Sequence, residues 1–274
     1  MGGMTRPIPK ARTLVTTDGI AIDAVHLPGD DDLAIVLAHG FTLHWQRPSV
    51  WKVATALNRT AGVITFDFRG HGRSGGTSTL GDREIYDVDV AVGYARELGY
   101  QRVATVGFSM GASIVLRHAA LIGGVDAVVS VSGPGRWYYR GTRSMRKVHW
   151  AVEHRVGRLV ARTLLNTRIT SGRWDPVPLP PADAAARIAP TPLLIVHGDL
   201  DGYFPVDHAR QLYAAARDPK ELWIVPGFGH AESAATPALL DRIGGWVREA
   251  VSLAASSKPS LKDPAPSGGA ARRL

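Results

Sequence analysis

Residues 103–118 read Val103-Ala104-Thr105-Val106-Gly107-Phe108-Ser109-Met110-Gly111-Ala112-Ser113-Ile114-Val115-Leu116-Arg117-His118. The apolar run 103–108 suits a strand buried on both faces, and 112–121 has the composition of a helix. Between them stands Gly-x-Ser-x-Gly, Gly107 to Gly111. A serine at a sharp strand-to-helix turn adopts a strained backbone, and its neighbours must be small where strand and helix approach. This turn presents the Ser109 hydroxyl as a candidate nucleophile.

The pattern around this turn repeats outward. Short, continuous apolar runs occupy 33–38, 63–68, 127–131, 192–196 and 222–225. Helical patterns separate them at 50–58, 82–98 and 208–216, with a last one at 237–253. Alternating strands and helices predict an α/β fold with a doubly wound, mostly parallel sheet. Residues 13–27, broken by Asp18-Gly19, read as a preceding hairpin. Residues 133–189 interrupt the alternation. There Met145, Val148, Val152, Val156, Leu159 and Thr163 recur at steps of three and four, which predicts one helix over 142–165. Its apolar stripe is expected to face the site and its basic side the solvent. The expected organisation is an N-terminal tail 1–12, a core of 13–132 and 190–253, a small helical insertion 133–189 and a disordered tail 254–274.

A serine hydroxyl is a weak nucleophile until a base takes its proton. His230 ends the Gly-rich loop Pro226-Gly227-Phe228-Gly229-His230 after the last apolar run. That position lets it reach back over the sheet edge as the base. A carboxylate must then orient the imidazole. The run Val196-His197-Gly198-Asp199-Leu200-Asp201 offers two. Asp199, nearer the strand, suits capping of loop amides. Asp201, at the loop apex before Gly202, is the favoured partner of His230. Backbone donors for a developing oxyanion are expected at Met110, next to the nucleophile, and at Phe41 in His39-Gly40-Phe41. His39 reads as a loop-supporting residue without a proton-transfer role.

Composition narrows the chemistry. The 274 residues are 45% hydrophobic and 20% charged, which excludes disorder of the whole chain. There is no cysteine, so disulfides, thiolate metal sites and a cysteine nucleophile are excluded. No metal or cofactor is expected. The longest apolar runs are too short for a membrane-crossing helix, and 1–12 lacks the apolar core of a secretory signal. A cytoplasmic location is the expectation.

The net charge of +8 is unevenly spread. Residues 136–173 carry ten Lys and Arg against Glu153 alone, or +9, and 1–12 and 258–274 carry +3 each. The remainder of the chain is therefore −7. Trp137, Tyr138, Tyr139 and Trp150 lie among those cations. Aromatic and basic residues interleaved in this way suit nucleic acid, but no nucleic-acid motif accompanies them, and no such partner is expected. An amphipathic basic helix also suits peripheral contact with an anionic membrane, and arginines at the edge of a pocket suit an anionic substrate.

Five motifs in one order resemble the α/β-hydrolase superfamily over about residues 13–253. They are His39-Gly40-Phe41, Asp67-Phe68-Arg69-Gly70-His71-Gly72-Arg73-Ser74, Gly107-Phe108-Ser109-Met110-Gly111, His197-Gly198-Asp199-Leu200-Asp201 and Gly229-His230. The resemblance implies the α/β-hydrolase fold, Asp201 as the triad acid, and a structural loop at 67–74 in which Arg69 and His71 do no catalysis. It also implies that 133–189 is a cap or lid, and it points to the esterase, lipase and monoglyceride-lipase-like branch. Ser109 in the nucleophile position argues against the aspartate-dependent relatives. The expected activity is hydrolysis of a small-molecule carboxylic ester through an acyl-enzyme. A thioester, amide or carbon–carbon bond would use the same core, and a binding or signalling protein with little turnover is the alternative class.

Overall fold

A computed structural model describes residues 9–29 and 32–256. Eight strands form one sheet: β1 (Lys10–Val15), β2 (Ala21–Leu27), β3 (Leu33–Ala38), β4 (Gly62–Phe66), β5 (Arg102–Phe108), β6 (Ala127–Val131), β7 (Leu193–Gly198) and β8 (Lys220–Val225). Their order is β1-β2-β4-β3-β5-β6-β7-β8. The β1–β2 and β2–β4 pairs are antiparallel, and every other pair is parallel. This is the doubly wound, mostly parallel sheet expected from the alternation of runs, in the α/β-hydrolase arrangement that the resemblance implies.

The helices are α1 (Pro48–Leu57), α2 (Ile85–Glu97), α3 (Met110–Leu121), α4 (Arg143–Glu153), α5 (Arg155–Leu164), α6 (Pro181–Ala185), α7 (Asp207–Ala215), α8 (Ala231–Ala234) and α9 (Pro237–Ser256). They cover both faces of the sheet, which is why the central strands are apolar without alternation. Successive side chains of a strand point to opposite faces. Leu33, Ile35 and Leu37 of β3 share a core with Val50 and Leu57 of α1 and Ile243 of α9. Ala34, Val36 and Ala38 belong to the opposite core, with Val88 of α2 and Ile114 of α3.

Three boundaries differ from expectation. β1 begins at Lys10, so Lys10, Ala11 and Arg12 lie in the hairpin and not in a tail. An edge strand is held by backbone pairing, and these exposed side chains carry no apolar signal. α9 runs to Ser256, into the expected C-terminal tail. The rest of that tail lies outside the described residues.

The third difference is in the insertion between β6 and β7. The expected single helix over 142–165 is two helices, broken at His154, whose φ of −96° and ψ of 140° are extended. The start is as expected: Thr142 Oγ1 accepts the Met145 N–H at the cap of α4. The break folds α5 back on α4 at Gly157, where a Cβ would lie 2.5 Å from Ala151 Cα. Only α4 keeps the expected apolar orientation, because Val156 and Leu159 of α5 are exposed. Among the described residues no helix is long and apolar enough to cross a membrane.

Candidate active site

β3 and β5 are neighbours, yet the chain departs from them in opposite directions, to β4 on one side and β6 on the other. Loops at the carboxyl ends of such a pair diverge and leave a crevice. Gly40 and Phe41 follow β3, and Ser109 follows β5.

Ser109 has φ 52° and ψ −112°, a strained conformation for a residue with a side chain. Its N–H donates to the Val131 carbonyl at 2.9 Å, which ties the turn to β6. A Cβ at Gly107 would lie 2.3 Å from the Gly111 oxygen, and one at Gly111 would lie 2.3 Å from the Ala38 oxygen. The turn therefore exists because both flanking positions lack a side chain.

The imidazole of His230 lies between Ser109 and Asp201. Its Nδ1 is 2.7 Å from Asp201 Oδ2, and its Nε2 is 2.9 Å from Ser109 Oγ. An ionised carboxylate only accepts, so Nδ1 carries the proton and Nε2 accepts the serine O–H. Asp201 Oδ1 accepts the N–H groups of Tyr203 at 2.8 Å and Phe204 at 3.0 Å. Burial pushes the Asp201 carboxyl up, but the His230 contact and these amides outweigh it and hold it below the ordinary value. Tyr203 stacks on the His230 ring, with centroids 4.2 Å apart and 26° between the planes. Asp199 lies elsewhere: its Oδ1 accepts the Gly227 N–H at 2.7 Å and joins the acid loop to the histidine loop.

Phe41 and Met110 border the same cavity. Met110 opens α3, so its N–H is one of the donors a helix leaves unmatched at its start. Among the described residues, neither the Phe41 nor the Met110 amide donates to a protein acceptor. The loop that carries Phe41 is clamped on both sides. His39 donates from Nδ1 to the Gly40 carbonyl at 2.7 Å and accepts the Phe68 N–H at Nε2, 3.1 Å away. Both ring nitrogens are thus engaged in backbone contacts, and burial keeps the ring well below its ordinary pKa. On the other side, the Gly40 N–H donates to Glu232 Oε1 at 2.6 Å.

Glu232 was not among the residues expected from sequence, and neither was Tyr203. Glu232 is buried, and desolvation pushes its carboxyl up despite the amides it accepts. The only sequence signal for it is an acidic residue two places after His230 in an otherwise small, weakly polar stretch. The 67–74 loop is built of polar contacts. Arg69 pairs with Asp18 at 2.7 Å and with Asp87 at 2.8 Å. Asp67 accepts the Trp45 and Arg73 amides, and burial pushes it up to about 6. Arg69 and His71 are absent from the cavity wall.

The cavity has a volume of about 1050 Å³. Met145, Val148 and Val152 of α4 line it, together with Trp137, Tyr139 and Trp174 from the flanking insertion. Arg136, Arg140, Lys147, Arg158 and Arg173 add positive charge to the same wall. Arg136 is engaged by Asp207 at 3.1 Å, and Arg140 by Glu153. Among the described residues, no group of His, Asp and Glu is arranged to hold a metal ion.

The model of the alpha/beta hydrolase family matches residues 35–248, and the chain belongs to that family. It is 27% identical over 231 residues to the uncharacterized protein YfhR of Escherichia coli K12, covering 81% of this chain and 70% of YfhR. It is 28% identical over 250 residues to a monoacylglycerol lipase of Mycolicibacterium smegmatis, covering 78% of this chain and 87% of the lipase. The fold is similar to that of the Pyrococcus furiosus esterase Pf2001, with a TM-score of 0.71 at 21% identity over 88% of this chain and 92% of the esterase.

Proposed function

We propose that this alpha/beta hydrolase cleaves a carboxylic ester through an acyl-enzyme on Ser109. The observation that carries the reading is the unbroken hydrogen-bonded line from Asp201 through His230 to a serine held on a strained turn. In this mechanism Ser109 Oγ attacks the ester carbonyl carbon as His230 Nε2 takes its proton. Asp201 holds the Nδ1–H and stabilises the imidazolium. The carbonyl oxygen becomes an oxyanion facing the Phe41 and Met110 amides. Each such donor is worth about a hundred- to a thousandfold in rate. Collapse of the intermediate expels the alcohol, which takes the proton from His230. Water then repeats the sequence on the acyl-enzyme and releases the acid.

The aliphatic and aromatic wall favours an amphiphilic acyl or alcohol group, in keeping with a lipase among the relatives. On this reading the insertion 133–189 serves as a cap over the substrate. The test is a panel of esters that varies acyl length and charge, with the full chain and Ser109→Ala compared. Turnover of esters by the full chain and none by the variant supports the reading. Equal turnover by both excludes it.

A further inference from the structure

α5 is turned inside out. Its apolar residues Val156, Leu159, Val160 and Leu164 recur at helical spacing and share one face. That face points to solvent: Val156 is 63% exposed, Leu159 59% and Leu164 74%. The side that packs inward is made of Gly157 and Ala161, the only buried residues of the helix. The cause is steric. At Gly157 the backbone of α5 runs so close to Trp150 and Ala151 that no side chain fits. The small residues must therefore face α4, and the large ones cannot.

Beside the apolar face runs a basic row, Arg155, Arg158 and Arg162, again at helical spacing. Arg158 is held, donating to the Val152 and Glu153 carbonyls at 2.9 and 3.0 Å. Arg155 and Arg162 meet no carboxylate among the described residues. α5 contains no acidic residue. Exposed Trp150 stands at the junction with α4. The same helix contributes Arg158 and Leu165, just past its end, to the cavity wall, on the side opposite Val156 and Val160.

We infer that the Val156–Leu159–Val160–Leu164 face with its arginine row is a docking surface for an anionic lipid bilayer. An apolar face in the acyl boundary with cations at the headgroups is the geometry of a helix lying in the membrane interface. Charge selects this occupant over two others. A second copy packed through the same face would bring no carboxylate of α5 to meet the arginine row. The terminal segment 258–274 carries a net +3, the same sign as the arginine row. The surface is separate from the Ser109 chemistry and does not rest on it.

The test is co-sedimentation of the full chain with vesicles of phosphatidylcholine alone and with a third of the lipid replaced by phosphatidylglycerol. The full chain binds the anionic vesicles, and added salt weakens binding. Leu159→Ser/Leu164→Ser abolishes binding. Arg155→Glu/Arg162→Glu lowers it at least about thirtyfold, from two attractions of about 1 kcal/mol each. Both variants hydrolyse a water-soluble ester as the full chain does, and Ser109→Ala binds vesicles unchanged. Equal binding to both vesicle types, or undiminished binding by the variants, overturns the inference. So does a dimer that the leucine substitutions dissociate in a chain that ignores vesicles, since the face then belongs to a second copy.

Discussion

The carboxylate of Glu232 accepts the N–H of Gly40 at 2.6 Å, joining residues 192 positions apart in the chain. The contact ties the loop after β3 to the loop that carries His230. It therefore sets the Phe41 amide and the His230 ring in one frame. Glu232→Ala leaves a buried donor unmatched, at a cost of about 1–3 kcal/mol in stability, and is expected to lower kcat by about tenfold or more. Burial raises the Glu232 pKa, so its contribution to folding is complete below its ordinary value and is lost as pH rises through the folded value. Glu232→Gln keeps an acceptor for Gly40 without that ionisation. Rate and melting temperature against pH check this: the glutamine variant should retain most activity and flatten the loss of stability as pH rises above 4.5.

The two aspartates of the acid loop are expected to separate cleanly. Asp201→Ala removes the partner of His230 and should lower kcat by about three to four powers of ten. Asp199→Ala loses only the bond to the Gly227 amide, at about 1 kcal/mol of stability. Its kcat should stay within about tenfold of the unaltered chain. Steady-state kinetics on folded variants decide the matter.

Asp201 also predicts an acid-sensitive component of stability. Its folded pKa lies below the ordinary value of 3.8. A depressed carboxyl stabilises the fold above its unfolded pKa, and that contribution is lost as pH falls through the folded value. Asp201→Asn should therefore melt below the unaltered chain at neutral pH, with a difference that shrinks as pH falls below 3.8. Calorimetry at neutral and acid pH measures the two differences.

The turn at Ser109 sets a packing test. A methyl group at Gly111 would lie 2.3 Å from the Ala38 carbonyl, a backbone atom at the end of β3 that cannot simply swing away. Gly111→Ala is expected to cost about 1–3 kcal/mol or more and to displace the Ser109 turn. Denaturant unfolding gives the first effect, and loss of turnover in the remaining folded protein gives the second.

Much of this arrangement was legible in the residues. The sheet was readable because strands covered on both faces are continuously apolar. Ser109, His230 and Asp201 were readable because each ends an apolar run in a loop of distinctive composition. The rest depends on contacts between distant segments. Helical spacing is the same whichever side of a helix faces inward, so the outward face of α5 follows only from the approach at Gly157. The break at His154 carries no proline or glycine at that residue. Glu232 looks like any acidic residue of a short helix until Gly40 is beside it. β1 begins at Lys10 because backbone pairing extends an edge strand without needing apolar side chains.

Covalent trapping tests Ser109 as the nucleophile most directly. A fluorophosphonate traps an activated serine covalently by the chemistry proposed for the ester, and peptide mass spectrometry locates the adduct. One label is expected, on the peptide containing Ser109, lost in Ser109→Ala and strongly slowed in His230→Ala. No label on the folded chain, or a label that persists in Ser109→Ala, contradicts it.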